Sequence, residues 1–106
     1  LVRQLPVPDK VVEAILQLTR AARPGADAGA ETDRLVAWGP GPRASQALML
    51  AVRAKALVEG RLAPSVDDVV TLAEPVLKHR MALTFAARAE GQTTSGFINR
   101  LAAALG

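Results

Sequence analysis

The run GPRASQALMLAVRAKALVEG, residues 41–60, decides how the chain folds. Proline suits the first position of a helix and glycine the position just past its end, so Pro42 and Gly60 bracket a helix over Pro42 to Glu59. Ala44, Ala47, Leu48, Leu50, Ala51, Val52, Ala54, Leu57 and Val58 lie between them. These apolar side chains cover most of the circumference and predict a central, largely buried helix. Arg43, Gln46 and Arg53 share its one clear polar side, and Lys55 and Glu59 form a separate exposed edge.

Outward from this helix, more helices follow. On the N-terminal side, Val11, Ile15, Leu18 and Ala22 recur at helical spacing, with Lys10, Glu13, Gln17 and Arg20 opposite. This predicts a helix over Asp9 to Arg23, with Asp9 as N-cap and Pro24-Gly25 as its stop. Between the two helices runs an irregular stretch from Pro24 to Gly41. Its acidic, Ala/Gly-rich part, Gly25 to Asp33, is expected to be mobile, and Leu35-Val36-Ala37-Trp38 to form a short strand. On the C-terminal side, Ser65-Val66-Asp67-Asp68 opens a helix with a capping-box pattern, and Pro75 is expected to break or kink it near Glu74. Met81, Leu83 and Phe85 alternate as in a strand able to pair with residues 35–38. A last helix is expected over about Thr94 to Leu105, with Phe97, Leu101 and Leu105 facing the core and Ile98 beside them. The fold class expected is mainly α: a small bundle of four to five helices with a minor two-stranded ribbon, in one domain spanning residues 1–106.

Composition narrows the chemistry. The 106 residues are 50% hydrophobic and 22% charged, which suits a packed core. Without cysteine there is no thiol nucleophile, disulfide or Cys-ligated metal, and a lone histidine, His79, rules out a His-based metal triad. No apolar run reaches the roughly 18 residues of a membrane span, and no signal-peptide pattern opens the chain, so a soluble, cytoplasmic setting is expected. The chain opens at Leu1 without a methionine and is read as a piece of a longer protein. No P-loop, dinucleotide or nucleophile-elbow pattern occurs. The acids are scattered. Asp67-Asp68 sits in a helical first turn, where carboxylates serve the helix dipole.

One short segment stands out: Trp38-Gly39-Pro40-Gly41-Pro42-Arg43-Ala44. Two glycines and two prolines make a stiff bend that delivers Arg43 to a first helical turn. Unpaired amides already make that turn positive, so a cation there is poorly placed unless an anion visits. A guanidinium beside helix amides suits a phosphate. Arg43 is otherwise a surface arginine, or a cap for a neighbouring carbonyl. Lys78-His79-Arg80 divides between a nucleotide or subunit contact and plain helix-end charges. Arg53, about 15 Å along the helix from Arg43, is too far away to share its phosphate. Trp38 reads as a core anchor, and Arg61 as structural.

Gly41-Pro42-Arg43-Ala44, Ala54 through Arg61, Pro64-Ser65-Val66-Asp67-Asp68-Val69 and Pro75-Val76-Leu77-Lys78-His79-Arg80-Met81 recur in this order, and Leu18-Thr19-Arg20 fits with them. The series resembles the C-terminal lid domain of MoxR-type AAA+ ATPases over about residues 5 to 105. Gly41 departs from the family's frequent serine, and the acidic insert of residues 25–33 is atypical. The resemblance implies a lid that closes over ATP and Mg2+ held mainly by a separate core domain. It implies a sensor-2 arginine, here Arg43, as the catalytic and cofactor-binding residue at the γ-phosphate. It also implies a neighbouring subunit in a ring (expected to be a hexamer), chaperone-like work and a von Willebrand A-domain partner. Without the core, the chain by itself is not expected to hydrolyse ATP.

Two other readings compete: a stand-alone helical protein-interaction module, or a DNA-binding module. Against DNA, the Gly60–Ser65 connection exceeds a helix-turn-helix turn, and the next helix opens with two carboxylates where phosphates would lie. No nucleic acid is expected as a partner.

Overall fold

A computed structural model describes residues 6–25 and 30–105. The element order is α1 (Asp9–Ala22), α2 (Ala30–Leu35), β1 (Val36–Trp38), α3 (Pro42–Val58), α4 (Val66–Leu77), β2 (Ala82–Leu83), α5 (Phe85–Ala89) and α6 (Thr94–Ala103). The helical bundle and its ribbon are those expected from the sequence, with two short helices, α2 and α5, in addition.

α1 buries Val11, Ala14, Ile15, Leu18, Thr19 and Ala22, the face that helical spacing selects. Asp9 is not its N-cap. Pro8 holds that position, and its carbonyl accepts the N–H groups of Val11 and Val12. Asp9 is the first helical residue, where its charge still suits the dipole. α6 buries Phe97, Ile98 and Ala102, with Leu101 and Leu105 half-buried against the core. Loss of a buried ring such as Phe97 costs about 3–5 kcal/mol.

The innermost helix is α4, not α3. α4 packs against α3, α6 and α1 together, burying Asp68, Val69, Ala73 and Leu77. α3 packs mainly against α4 and α1, so one line of it is buried: Ala44, Leu48, Val52 and Ala56, four residues apart. Leu50, Leu57 and Val58 stay exposed, because nothing among the described residues covers that side.

α4 runs unbroken through Pro75 to Leu77, against the expected interruption at Glu74. Pro75 and Thr71 are both exposed, so the Thr71 carbonyl that loses its intrahelical donor can turn to water.

The expected ribbon forms. β1 and β2 pair antiparallel, Val36 opposite Leu83 and Trp38 opposite Ala82, with an irregularity between the two pairs. Phe85 is not part of the strand. Thr84 caps α5 instead, its hydroxyl accepting the Ala87 N–H at 3.0 Å, and Phe85 is exposed. Trp38 is not a core anchor either: it is 56% exposed, since its short strand lies at the edge of the bundle.

α2 overlaps the stretch expected to be mobile and takes in Leu35, which was expected in the strand, so β1 begins at Val36; residues 26–29 lie outside the described ones. A six-residue helix has little stability of its own. Distant groups hold this one. Thr32 Oγ1 donates to the Ala21 carbonyl at 2.7 Å, the Gly25 N–H donates to Asp33, Arg100 meets Glu31, and Leu35 is buried.

Candidate functional site

The chain reaches Arg43 along a guided path. Leaving β1, it passes against the end of α1 at Gly39. A Cβ on Gly39 would lie 2.7 Å from Arg23 Cα and 2.8 Å from the Ala22 carbonyl oxygen, so only glycine fits. Pro40 is fully buried. Gly41 then serves as N-cap of α3 in an extended conformation with no side chain to offer, and Pro42 follows at the first helical turn. Ala44 N–H turns back to the Gly41 carbonyl at 3.0 Å.

A hydroxyl pair pins this first turn. Ser45 Oγ donates to Thr19 Oγ1 at 3.2 Å, and Thr19, fully buried in α1, donates to the Ile15 carbonyl at 3.0 Å. The start of α3 is therefore tied to α1 by the Gly39 crossing and by this bond.

Arg43 is exposed at this anchored position. The first turn of α3 contains no acid. Among the described residues Arg43 makes no ion pair, as is also true of Lys10, Arg20, Arg23, Arg53, Arg80 and Arg88, while Arg34, Lys55, Arg61, Lys78 and Arg100 are paired; what sets Arg43 apart is its place in a first helical turn. A cation beside helix amides with no carboxylate nearby is a place of positive potential, suited to a multivalent anion.

The other basic residues of interest do not gather there. Arg53 lies nearly three turns along α3. Arg80 donates to the Val76 carbonyl at 3.1 Å, Lys78 pairs with Glu74 at 3.4 Å, and His79 is exposed. Lys78 and Arg80 thus serve the end of their own helix. Glu74 is held below the usual carboxylate range by a hydrogen bond from Ser95, against the opposing effect of desolvation, with Lys78 adding to the depression. Among the described residues no cluster of three His, Asp or Glu side chains could hold a metal ion.

The opposite end of α3 carries a charge cluster that the sequence reading took only as an exposed edge and a cap. Asp68 is buried. Its Oδ1 accepts from Arg61 at 2.8 Å and from Lys55 at 3.1 Å, and its Oδ2 accepts the Ser65 N–H at 2.8 Å. Desolvation pushes its pKa up, but the bonds from Arg61, Ser65 and Lys55 win and hold it well below the usual range. Arg61 is structural, as expected. The signal available was acidic residue three of a capping box following two cations by seven and thirteen positions; only the loop geometry joins them.

Residues 29–101 match the family described as AAA lid domain. The chain belongs to the AAA lid domain family. It is 41% identical over 66 residues to Chaperone MoxR1 of Mycobacterium tuberculosis (strain ATCC 25618 / H37Rv), a match covering 62% of this chain and 18% of that chaperone. Its fold is shared with the crystal structure of a candidate ATPase from Cytophaga hutchinsonii ATCC 33406. The TM-score is 0.85 at 26% identity, over 94% of this chain and 31% of the other. The chain thus spans under a third of each relative. The MoxR-type lid resemblance read from the sequence is borne out, and with it the helical lid fold. Among the described residues no helix is long and apolar enough to cross a membrane.

Proposed function

We propose that this lid closes over ATP bound to the core domain of a longer AAA+ ATPase, and that Arg43 is the sensor-2 arginine contacting the γ-phosphate. The observation that carries the reading is the exposed Arg43, without a partner among the described residues, on a helix start tied to α1. Among the described residues no three His, Asp or Glu side chains gather to hold a metal ion, and in this reading Mg2+ is held by the core. Arginine does not exchange protons near neutrality. Its contribution is positional and electrostatic, drawing the lid onto the terminal phosphate and stabilising charge during transfer.

In this reading residues 1–106 are one domain, inactive alone, of a cytoplasmic chaperone-like machine. Lid movement passes to neighbouring subunits of a ring, expected to be a hexamer, and a von Willebrand A-domain protein is the expected partner. Kinship with a protein named as a chaperone and with a candidate ATPase supports the assignment. The test is Arg43→Ala in the full-length protein. Removal of a charge-stabilising donor costs about 2–4 kcal/mol, so ATP turnover is expected to fall by about 30- to 1,000-fold. An unchanged rate removes Arg43 from the mechanism.

A further inference from the structure

Of the chain's one tryptophan and two phenylalanines, only Phe97 is buried. Phe85 is 81% exposed, and Trp38 is exposed as well. The ribbon brings these two toward each other. Trp38 stands opposite Ala82, and Phe85 follows Ala82 by three residues, about 10 Å of extended chain. Ala37, Ala86 and Ala89 beside them are exposed too. Phe85, Arg88 and Ala89 line a groove of about 310 Å³, large enough for an apolar side chain. An exposed apolar surface with a polar rim marks an interaction site.

The rim is basic. Arg88 follows Phe85 by nearly one turn of α5, is exposed and meets no carboxylate among the described residues. Arg80, two residues before Ala82, gives one N–H to the Val76 carbonyl and has no carboxylate partner either. Arg23 flanks Trp38 on the other side, since its Cγ would lie 2.9 Å from a Cβ on Gly39, and it makes no ion pair among the described residues. The acids of the neighbourhood are already engaged. Glu90 is joined to Arg34 and Glu31 to Arg100, and Asp33 accepts the Gly25 N–H. From Pro75 to Ala89 the chain contains no acid.

We propose that the ribbon and α5 form a docking surface for an acidic segment of a partner protein, one in which apolar side chains alternate with carboxylates. An apolar side chain enters the groove beside Phe85, and carboxylates meet Arg88, Arg80 and Arg23. Charge complementarity identifies the occupant. Three guanidiniums without counter-charges frame an apolar surface, and a guanidinium holds a carboxylate through paired N–H donors. Single-stranded nucleic acid also stacks on aromatic rings beside arginines. Its backbone, however, draws on lysine, hydroxyl and amide donors as well, whereas Ala37, Trp38, Phe85, Ala86 and Ala89 offer apolar side chains. The proposal does not involve Arg43 and holds whether or not Arg43 senses a phosphate.

The test uses the full-length protein and a short fluorescein-labelled peptide in which Glu alternates with Leu and Phe. Fluorescence anisotropy is expected to show saturable binding that weakens as salt is added. Phe85→Ala is expected to weaken it about tenfold, and Arg88→Glu by at least as much. Both side chains are exposed, so ATP turnover and the circular dichroism spectrum should match wild type in each variant. No binding of this peptide overturns the proposal. Equal affinity for an all-Glu peptide does so too, by reducing the surface to charge alone. Binding that survives both substitutions puts the segment elsewhere on the molecule. Tighter binding of a single-stranded oligonucleotide, lost in the same variants, gives the surface to nucleic acid instead. ATP turnover lost in Phe85→Ala gives it to the ATPase core, and each of these three results also overturns the proposal.

Discussion

The two ends of α3 treat charge in opposite ways. At its C-terminus every feature is closed locally. Gly60 turns at φ +73°, Arg61 N–H reaches the Ala56 carbonyl at 2.8 Å, and Gly60 N–H reaches Leu57 at 3.1 Å. The nearby cations share Asp68 and Glu59. At the N-terminus the cap is a glycine without a side chain, and Arg43 meets no carboxylate among the described residues. Both ends sit on the same rigid helix, so the contrast is one of chemistry and not of order. At the closed end of α3 the charges come with their counter-charges. A charge that serves a ligand is held in place through its backbone and left open at its tip.

The contrast can be broken by experiment, beginning with the largest effect. Arg43→Ala, expected to cost about 2–4 kcal/mol of transition-state stabilisation, should leave the unfolding free energy of the domain within about 0.5 kcal/mol of wild type. A large loss of stability in urea would mean that the open end is structural after all. Asp68→Ala should show the opposite behaviour. It removes a buried acceptor from two cations and from the start of α4, so a loss of about 2–3 kcal/mol is expected in urea denaturation.

The pH dependence of that contribution has a definite sign. The folded pKa of Asp68 lies below its unfolded value near 3.9. Its stabilisation is therefore complete above the unfolded pKa and fades as pH falls from there through the lower folded value. An acid titration of stability should lose this portion in Asp68→Ala, and an acid limb identical to wild type would refute it. Glu59 is shifted downward mainly by Lys55 and reinforces the same sign from a more exposed position.

Two smaller substitutions sharpen the comparison at the open end. Gly39→Ala forces a Cβ against the backbone of Ala22 and Arg23. A destabilisation of about 1–3 kcal/mol is expected, and because the crossing holds the start of α3, ATP turnover in the full-length protein should fall with it. Gly41→Ser meets nothing within 4 Å and restores a capping hydroxyl. Its expected gain is about 0.3 kcal/mol in thermal or urea unfolding, the least of these effects.

Much of the lid is legible in its sequence. Pro42 and Gly60 mark α3 to within a residue, and Arg43 stands out by its position in a first turn; spacing gives four of the buried residues of α1, Val11, Ile15, Leu18 and Ala22, and misses Ala14 and Thr19. The misreadings share a cause. Trp38 was assigned to the core because large aromatics usually go there, yet its strand lies at the edge of the bundle. α3 was taken as the most buried helix because its composition is apolar nearly all round, and composition does not say how many neighbours a helix has. Residues 30–35 lack helical periodicity and became helical through Thr32, Asp33 and Glu31, each bonded to a residue elsewhere in the chain.

The amino-acid order alone set the extent of α1 and α3 to within a residue and the start of α4, and placed Arg43 at a helix start. Caps, proline stops and apolar periodicity act across four or five residues, a range within which the chain can be read directly. Only the tertiary structure decided that α4 is central, that Asp68 gathers Lys55 and Arg61, that Gly39 must slip past α1, and that none of the described residues covers Leu50 and Leu57. Each of these depends on side chains brought together from distant positions, and such meetings are governed by how the helices share a limited volume.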